Sequence, residues 1–347
     1  MKKVLILYSE LAGYLITCLR QWALSGNQAI VVHWPVNPEA PFELPQIDGV
    51  DFISKDLLES EELKRLVNSR ELDGIICSGW IDKSYLRAIA FSKLDIPSIL
   101  VMDNQWKGTV KQLVFSRIAR LVTKRFFSHA WVIGDPQVEF AVQMGFERDR
   151  IRTGFYSADV NAFKGYYEEV LMEAKEFPKT FLYVGRYVRH KGIFDLWEAF
   201  VQASEELDSD WKLICIGTGE EFENRVIHED IIHLGFKQPD QLLEGMSGAG
   251  VFVLPSHFEP WGVVVHEFAA AGFPMLLSKE VGAGSSFLEA GKNGFYFESG
   301  NVEDLKMGLS KFMKMTDSQL REMSIHSNEL ALKTTPENWV KTLYELL

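Results

Sequence analysis

Two carboxylates eight residues apart, Glu259 and Glu267, flank a change in backbone character. Ahead of them the run 251–254 is apolar, of strand length and stopped by Pro255, which reads as a buried strand leading into a loop. From Gly262 to Gly272 the residues VVVHEFAAAG have helix length and no internal breaker. A strand-loop-helix corner of this kind points the first unpaired N–H groups of its helix outward, where they attract an anion. Carboxylates are poor phosphate ligands, but they accept hydrogen bonds from sugar hydroxyls. The corner therefore fits a ligand with a phosphate part and a polyol part. A second stretch, Gly185-Arg186-Tyr187-Val188-Arg189-His190-Lys191-Gly192, places cations between the apolar run 181–184 and a helix expected from Ile193, whose dipole adds to the positive field.

Such residues need a scaffold that brings loops together, and the chain has the alternation for one. Apolar runs of strand length at 4–7, 29–33, 73–77, 98–101 and 130–133 are interleaved with helical stretches at 15–24, 57–69, 83–93 and 109–127. The alternation restarts at 181–184, 212–216, 231–234, 251–254 and 275–277. Strands alternating with helices make right-handed βαβ units and parallel sheets, whose ligands bind at the carboxyl ends of the strands. The expected fold class is α/β, with two Rossmann-like doubly wound domains facing each other across a cleft. Domain boundaries are expected at 1–160 and 179–335, with 161–178 as a linker.

Bulk properties narrow the partners. A chain of 347 residues, 47% hydrophobic and 24% charged, has the make-up of a soluble globular protein of about two domains. A net charge of −12 argues against nucleic acid. The start, MKKVLILYSE, reads as a first strand because its apolar run is short and closed by Ser9-Glu10, and no stretch approaches membrane-spanning length. Cys18, Cys77 and Cys215 form no CxxC pair and read as reduced core residues of a cytosolic protein.

The pattern E-P-W-G-V-V-V-H-E from Glu259 to Glu267 resembles the signature of retaining GT-B glycosyltransferases of family 4, the glycosyl transferases group 1 set. The stretch from Gly185 to Gly192 is similar to that family's G-R-x4-K-G motif. The resemblance is strongest from Thr180 to about Gly308. It implies transfer of a sugar from a nucleotide-diphosphate donor, UDP or GDP by expectation, to an acceptor hydroxyl in surface polysaccharide or glycolipid assembly. By the same resemblance Arg186 and Lys191 clamp the diphosphate, Glu259 orients the donor sugar and Glu267 holds the ribose. Gly185, Gly217, Gly219, Gly235, Phe236, Pro260, Trp261, Gly262 and Val263 are the expected donor-binding positions around them. In the first domain Gly13 corresponds to a loop that touches donor or acceptor. The family's first-domain histidine is missing here, and Asp103 and Asn104 stand in that neighbourhood as sugar or acceptor contacts. The family's last helix returns to the first domain, which assigns 336–347 to it. No cofactor beyond the donor and no metal are implied, because no DxD lies between the two sheets and the two cations can replace one.

One segment stands apart. Between Asn104 and Gly134 there are six basic residues, Lys107, Lys111, Arg117, Arg120, Lys124 and Arg125, and no acid. Helical spacing puts Arg117, Arg120 and Lys124 in one stripe and Val110, Val114, Ile118 and Leu121 in another. The segment 107–125 reads either as a surface resting on anionic lipid, meeting a lipid-linked or phosphorylated acceptor at the inner face of the cytoplasmic membrane, or as a solvated helix whose apolar stripe is core. Two rival functions remain at this level: a sugar-nucleotide epimerase or hydrolase on the same fold, and a catalytically silent nucleotide-sugar-binding protein. A Rossmann oxidoreductase is disfavoured because neither half carries GxGxxG.

Overall fold

The computed structural model describes residues 1–35 and 44–347. The chain forms two compact units, Met1–Ala158 with Thr334–Leu347, and Asp159–Lys333. Unit 1 is built on a seven-stranded parallel sheet in the order β3-β2-β1-β4-β5-β6-β7. Its strands are β1 (Lys3–Tyr8), β2 (Gln28–His33), β3 (Val50–Ser54), β4 (Gly74–Ser78), β5 (Ser98–Met102), β6 (His129–Val132) and β7 (Ile151–Arg152). Helices α1 (Gly13–Leu24), α2 (Ser60–Leu66), α3 (Lys83–Ala90), α4 (Val110–Phe126) and α5 (Asp135–Gln143) connect them. Apolar side chains on both faces of the central strands require helices on both sides, and two buried clusters line the sheet.

The C-terminal helix Pro336–Leu346 completes one of these clusters. Trp339 lies with its ring centroid 5.0 Å from that of Trp131 and 6.5 Å from that of Trp22. A capping box between Thr335 and Asn338 and Pro336 in the first turn fix where this helix starts. Elsewhere in unit 1 Asp82 caps α3 through the N–H groups of Ser84 and Tyr85, accepts from Trp34 Nε1 at 2.7 Å and pairs with Lys55.

Unit 2 holds a six-stranded parallel sheet in the order β10-β9-β8-β11-β12-β13. The strands are β8 (Thr180–Val184), β9 (Lys212–Ile216), β10 (Ile231–Gly235), β11 (Val251–Leu254), β12 (Met275–Ser278) and β13 (Gly294–Phe297). The helices are α6 (Val160–Tyr166), α7 (Ile193–Leu207), α8 (Pro239–Gly245), α9 (Val263–Ala270), α10 (Gly284–Phe287), α11 (Val302–Met313) and α12 (Asp317–Ala331). Helix α9 is held from behind by α12: Asn328 Nδ2 donates to Ala270 O at 2.6 Å and Ser327 Oγ to Phe273 O at 2.8 Å.

The stretch 161–178, expected as a linker, is instead helical through α6 and a π-helical turn at Tyr167–Leu171. It packs inside unit 2, with Phe163 edge-on to Phe268 and the Tyr166 hydroxyl donating to Met246 O at 3.0 Å. Its aromatic spacing, not its Lys and Glu content, decides its state. Strands β3, β7 and β13 and helix α5 extend the alternation beyond the runs legible in the sequence. Of these, β3 mixes polar and apolar residues, and β7 is two residues long.

Candidate functional site

In unit 2 the first strand, β8, is central, and the chain runs from it toward one edge through β9 and β10, then returns to the other side with β11. The crevice between the carboxyl ends of β8 and β11 is therefore the topological switch point of the sheet. The loops that leave these two neighbouring strands carry Gly185–Gly192 and Pro255–Gly262.

The first loop is anchored by a residue that the sequence did not single out. Tyr187 is fully buried, donates its N–H to Thr218 O at 2.9 Å, and places its hydroxyl 3.3 Å from Cys215 O and 2.9 Å from His233 Nδ1. The glycines around it answer to close backbone approach. A Cβ on Gly217 would sit 2.0 Å from Gly185 O, and one on Gly219 2.6 Å from Tyr187 O. After a 3-10 turn at Arg189–Lys191 the chain enters Gly192 at φ 67°, where a Cβ would meet Pro255 O at 2.0 Å. Only glycine lets the start of α7 touch the end of β11. His257 N–H donates to His190 O at 2.8 Å, closing the two loops onto each other.

These loops bring Lys191 and Glu259 together as an ion pair, with side chains only 17% and 13% exposed. Ser256, fully buried, reaches Glu259 Oε2 through its hydroxyl at 3.5 Å. The backbone of Glu259 is braced by the glycine-rich stretch, since Gly282 N–H donates to Glu259 O at 3.1 Å and Ala283 N–H to Trp261 O at 2.9 Å. Gly282 and Gly284 are buried, so this stretch is a support beneath Glu259. Arg186 is exposed, and among the described residues its guanidinium makes no hydrogen bond or ion pair. The imidazole of His190 has its pKa lowered by desolvation first and then by the charges of Lys191 and Arg186, as a locally positive field requires.

Both helices at this corner start without a side-chain cap, α7 from Gly192 and α9 from Gly262 at φ 91°. Their first N–H groups are unsatisfied within the helix and carry the positive end of the dipole. A Cβ at Gly262 would lie 3.0 Å from Glu259 Cγ, so this glycine also keeps room for the carboxylate. Glu267 lies one turn into α9. Part of its surface stays accessible, yet the surrounding protein desolvates its carboxyl and the nearby Asp159 repels its charge, raising its pKa to about 7. Asp159 itself caps α6 by accepting from Ala162 N–H at 3.2 Å.

The remaining expected positions in unit 2 fall around this corner. Pro260 and Val263 are half-buried and Trp261 is buried against Phe287. Gly235 at the end of β10 accepts from Gly217 N–H at 2.8 Å, and Phe236 beside it is 55% exposed. His233, His257 and His266 are occupied: His266 stacks on Phe287 and meets Ala331 O at 3.1 Å, His257 pairs with Asp195 at 2.6 Å, and His233 Nε2 meets Val226 O at 2.8 Å.

In unit 1 Gly13 opens α1, and a Cβ there would meet nothing within 4 Å. Packing does not explain this glycine. Asp103 follows β5, and desolvation raises its pKa; burial first, and to a lesser degree the charge of Asp103, raises those of Tyr14 and Tyr156, whose rings lie 4.1 Å apart. A polar cluster of Tyr8, Tyr14, Tyr156 and Asp103 thus gathers at the carboxyl end of the first sheet, while Asn104 is exposed. Tyr156 lies far in sequence from Tyr8 and Tyr14, and no spacing signal joins the three. Among the described residues no group of three or more His, Cys, Asp or Glu is placed to hold a metal ion.

Residues 172–328 match the family model "Glycosyl transferases group 1". An uncharacterized glycosyltransferase of Methanocaldococcus jannaschii is 25% identical over 258 residues, covering 73% of this chain and 66% of that protein. The capsular polysaccharide biosynthesis glycosyltransferase CapM of Staphylococcus aureus is 30% identical over 153 residues, 42% of this chain and 39% of that one. The chain thus spans less than two thirds of the length of these relatives. Among solved structures, Anabaena HepE in complex with UDP and glucose superimposes with a TM-score of 0.70 at 16% identity, covering 98% of each chain. The architecture is that of the GT-B fold, and it is within the second unit of this chain that the match to the glycosyl transferases group 1 model falls.

Proposed function

We propose that the protein is a retaining glycosyltransferase that moves a hexosyl group from a nucleoside-diphosphate sugar to an acceptor hydroxyl without a metal ion. The observation that carries this reading is the joining of Lys191 and Glu259 at the β8–β11 switch point, beside Arg186, unpaired among the described residues, and two uncapped helix starts. A diphosphate entering there meets Arg186 and the helix N–H groups and draws Lys191 away from Glu259. The freed carboxylate then accepts from the hydroxyls of the donor sugar. Glu267 accepts from the ribose. When the bond between the anomeric carbon and the diphosphate oxygen breaks, negative charge grows on the leaving group, and the two cations stabilise it. The acceptor oxygen attacks the same face, and its proton passes to the departing diphosphate, so the products are a glycoside of retained configuration and a nucleoside diphosphate.

Support from relatives is coarser. HepE was solved with UDP and glucose, and CapM is named for capsular polysaccharide biosynthesis. The donor nucleotide is UDP or GDP in this reading, and the acceptor is a sugar of a polysaccharide or lipid-linked intermediate at the inner face of a membrane.

A second reading, hydrolysis of the same donor, is favoured by one observation: Asp103 is a desolvated carboxyl of raised pKa at the end of the first sheet. Incubation with a panel of UDP- and GDP-sugars, with and without sugar acceptors, tests both. The main reading expects nucleoside diphosphate release that depends on acceptor and yields a glycoside of retained configuration. Equal release without acceptor gives the second reading, and inverted configuration excludes the first.

A further inference from the structure

Helix α4 turns Phe115, Ala119 and Phe126 toward the core of unit 1. Its other side is where the sequence stripe of Val110, Val114 and Ile118 lies, and that stripe is not core. Val110, Leu113, Val114 and Ile118 are 78%, 42%, 54% and 61% exposed. Leu121 and Lys124, which the sequence assigned to the two stripes, lie outside the described side chains. At 3.6 residues per turn the four exposed aliphatic residues share one face of the helix, and Arg117 stands among them. Lys111 and Arg125 border the same face, and Lys107 precedes it; all are exposed. Arg120, further round, leans onto Gln143 O at 3.1 Å. Among the described residues neither Lys111 nor Arg117 makes an ion pair.

Single exposed aliphatic residues are ordinary, but four on one helix face are not. A merely solvated face would carry polar groups there, and a groove-forming face would be covered by this unit. The charge pattern selects the occupant. In a chain of net charge −12, the segment between Asn104 and Gly134 has six basic residues and no acidic one. Cations interleaved with aliphatic side chains on one face match a surface whose phosphates and hydrocarbon lie at successive depths.

We infer that the outer face of α4 docks unit 1 on an anionic lipid surface, Val110, Leu113, Val114 and Ile118 entering the headgroup–acyl boundary while Lys111, Arg117 and Arg125 meet lipid phosphates. The inference deepens the lipid-linked part of the proposed function and rests on that reading for its purpose. It does not rest on it for its measurement, because vesicle binding needs no donor.

The test is co-sedimentation of the full chain with vesicles of phosphatidylcholine alone and of equal parts phosphatidylcholine and phosphatidylglycerol. The wild type is expected to bind the anionic vesicles selectively, and less at high salt. Two double variants, Val114→Asp with Ile118→Asp and Lys111→Glu with Arg117→Glu, are each expected to lower the partition at least about tenfold. A control reversal in unit 2, Lys212→Glu, is expected to leave it unchanged. All replaced side chains are exposed, and a melting temperature and circular dichroism spectrum equal to those of wild type show that each variant is folded. Absence of binding to anionic vesicles overturns the inference, as does equal binding to phosphatidylcholine alone or variants that bind like wild type. A wild-type dimer that Ile118→Asp converts to a monomer would give the face to a second copy of this chain and overturn it as well. None of these results touches donor binding, which fails separately if no nucleoside diphosphate shifts the melting temperature.

Discussion

Lys191 and Glu259 neutralise each other when no ligand is present, and both are largely enclosed. Truncating either therefore leaves its partner uncompensated, so substitution effects at this pair have to be read in affinity and turnover together. Glu267→Ala is expected to weaken nucleoside-diphosphate binding roughly tenfold or more, the scale of one lost charge-assisted hydrogen bond. Glu259→Ala is expected to lower kcat far more than it lowers nucleotide affinity. The reverse pattern, seen by calorimetry and steady-state kinetics, would exchange the two roles. The pH dependence at Glu267 follows from its raised pKa. The folded chain holds that proton up to about pH 7, against 4.5 for an ordinary glutamate, so it binds more protons than the unfolded chain between those values. Stability accordingly falls as pH rises through that window, and the loss levels off above it on the order of 2 kcal/mol, allowing for solvent at the accessible part. Glu267→Gln should raise Tm at pH 8 and change it little at pH 5; equal effects at the two pH values would refute the assignment. Because an ionised carboxylate is a stronger acceptor for ribose hydroxyls than a protonated one, nucleotide affinity should climb between about pH 6 and 8.

At the scale of elements, the corner depends on how closely the turn before α7 approaches the end of β11. Gly192→Ala brings a methyl group against Pro255 O at a left-handed φ, and should cost roughly 2–4 kcal/mol in urea unfolding while weakening nucleotide binding in the molecules that remain folded. A variant as stable as wild type would show that the two loops separate easily. The placement of this corner's charged residues was legible because it is local: Arg186, Lys191, Glu259 and Glu267 stand in two short stretches with strand and helix periodicity on either side. Its support was not. Tyr187 and Asp159 act across long sequence separations on His233 and Glu267, and nothing in their spacing marks them; Ser256 is local to Glu259, but a lone serine carries no signal of its own. Helix α6 was hidden because its polar composition outweighed the aromatic residues, Phe163 and Tyr166, that pack it into unit 2. For α4 the sequence left two readings open, since an apolar stripe reads the same whether it meets core or solvent; exposure shows only that Val110, Val114 and Ile118 are not core, and vesicle binding tests the lipid reading.

At the scale of the whole molecule, the chain leaves unit 1 after Ala158 and comes back to it at Thr334. The returning helix is part of unit 1's core through Trp339, which sits against Trp131 and Trp22. Trp339→Ala should destabilise unit 1 by roughly 3–5 kcal/mol and split thermal unfolding into two transitions, with only the later one responding to nucleotide. One transition shifted as a whole would mean that the two units unfold together. The grip of the β8 and β11 loops on a pyrophosphate is tested most directly by calorimetric titration of UDP, GDP, ADP and TDP into wild type, Arg186→Ala, Lys191→Ala and the double variant. At least one nucleotide should bind wild type, and each single variant should weaken it about tenfold or more, as removal of one charge-assisted phosphate contact does. A double variant that binds this nucleotide as tightly as wild type would contradict the assignment.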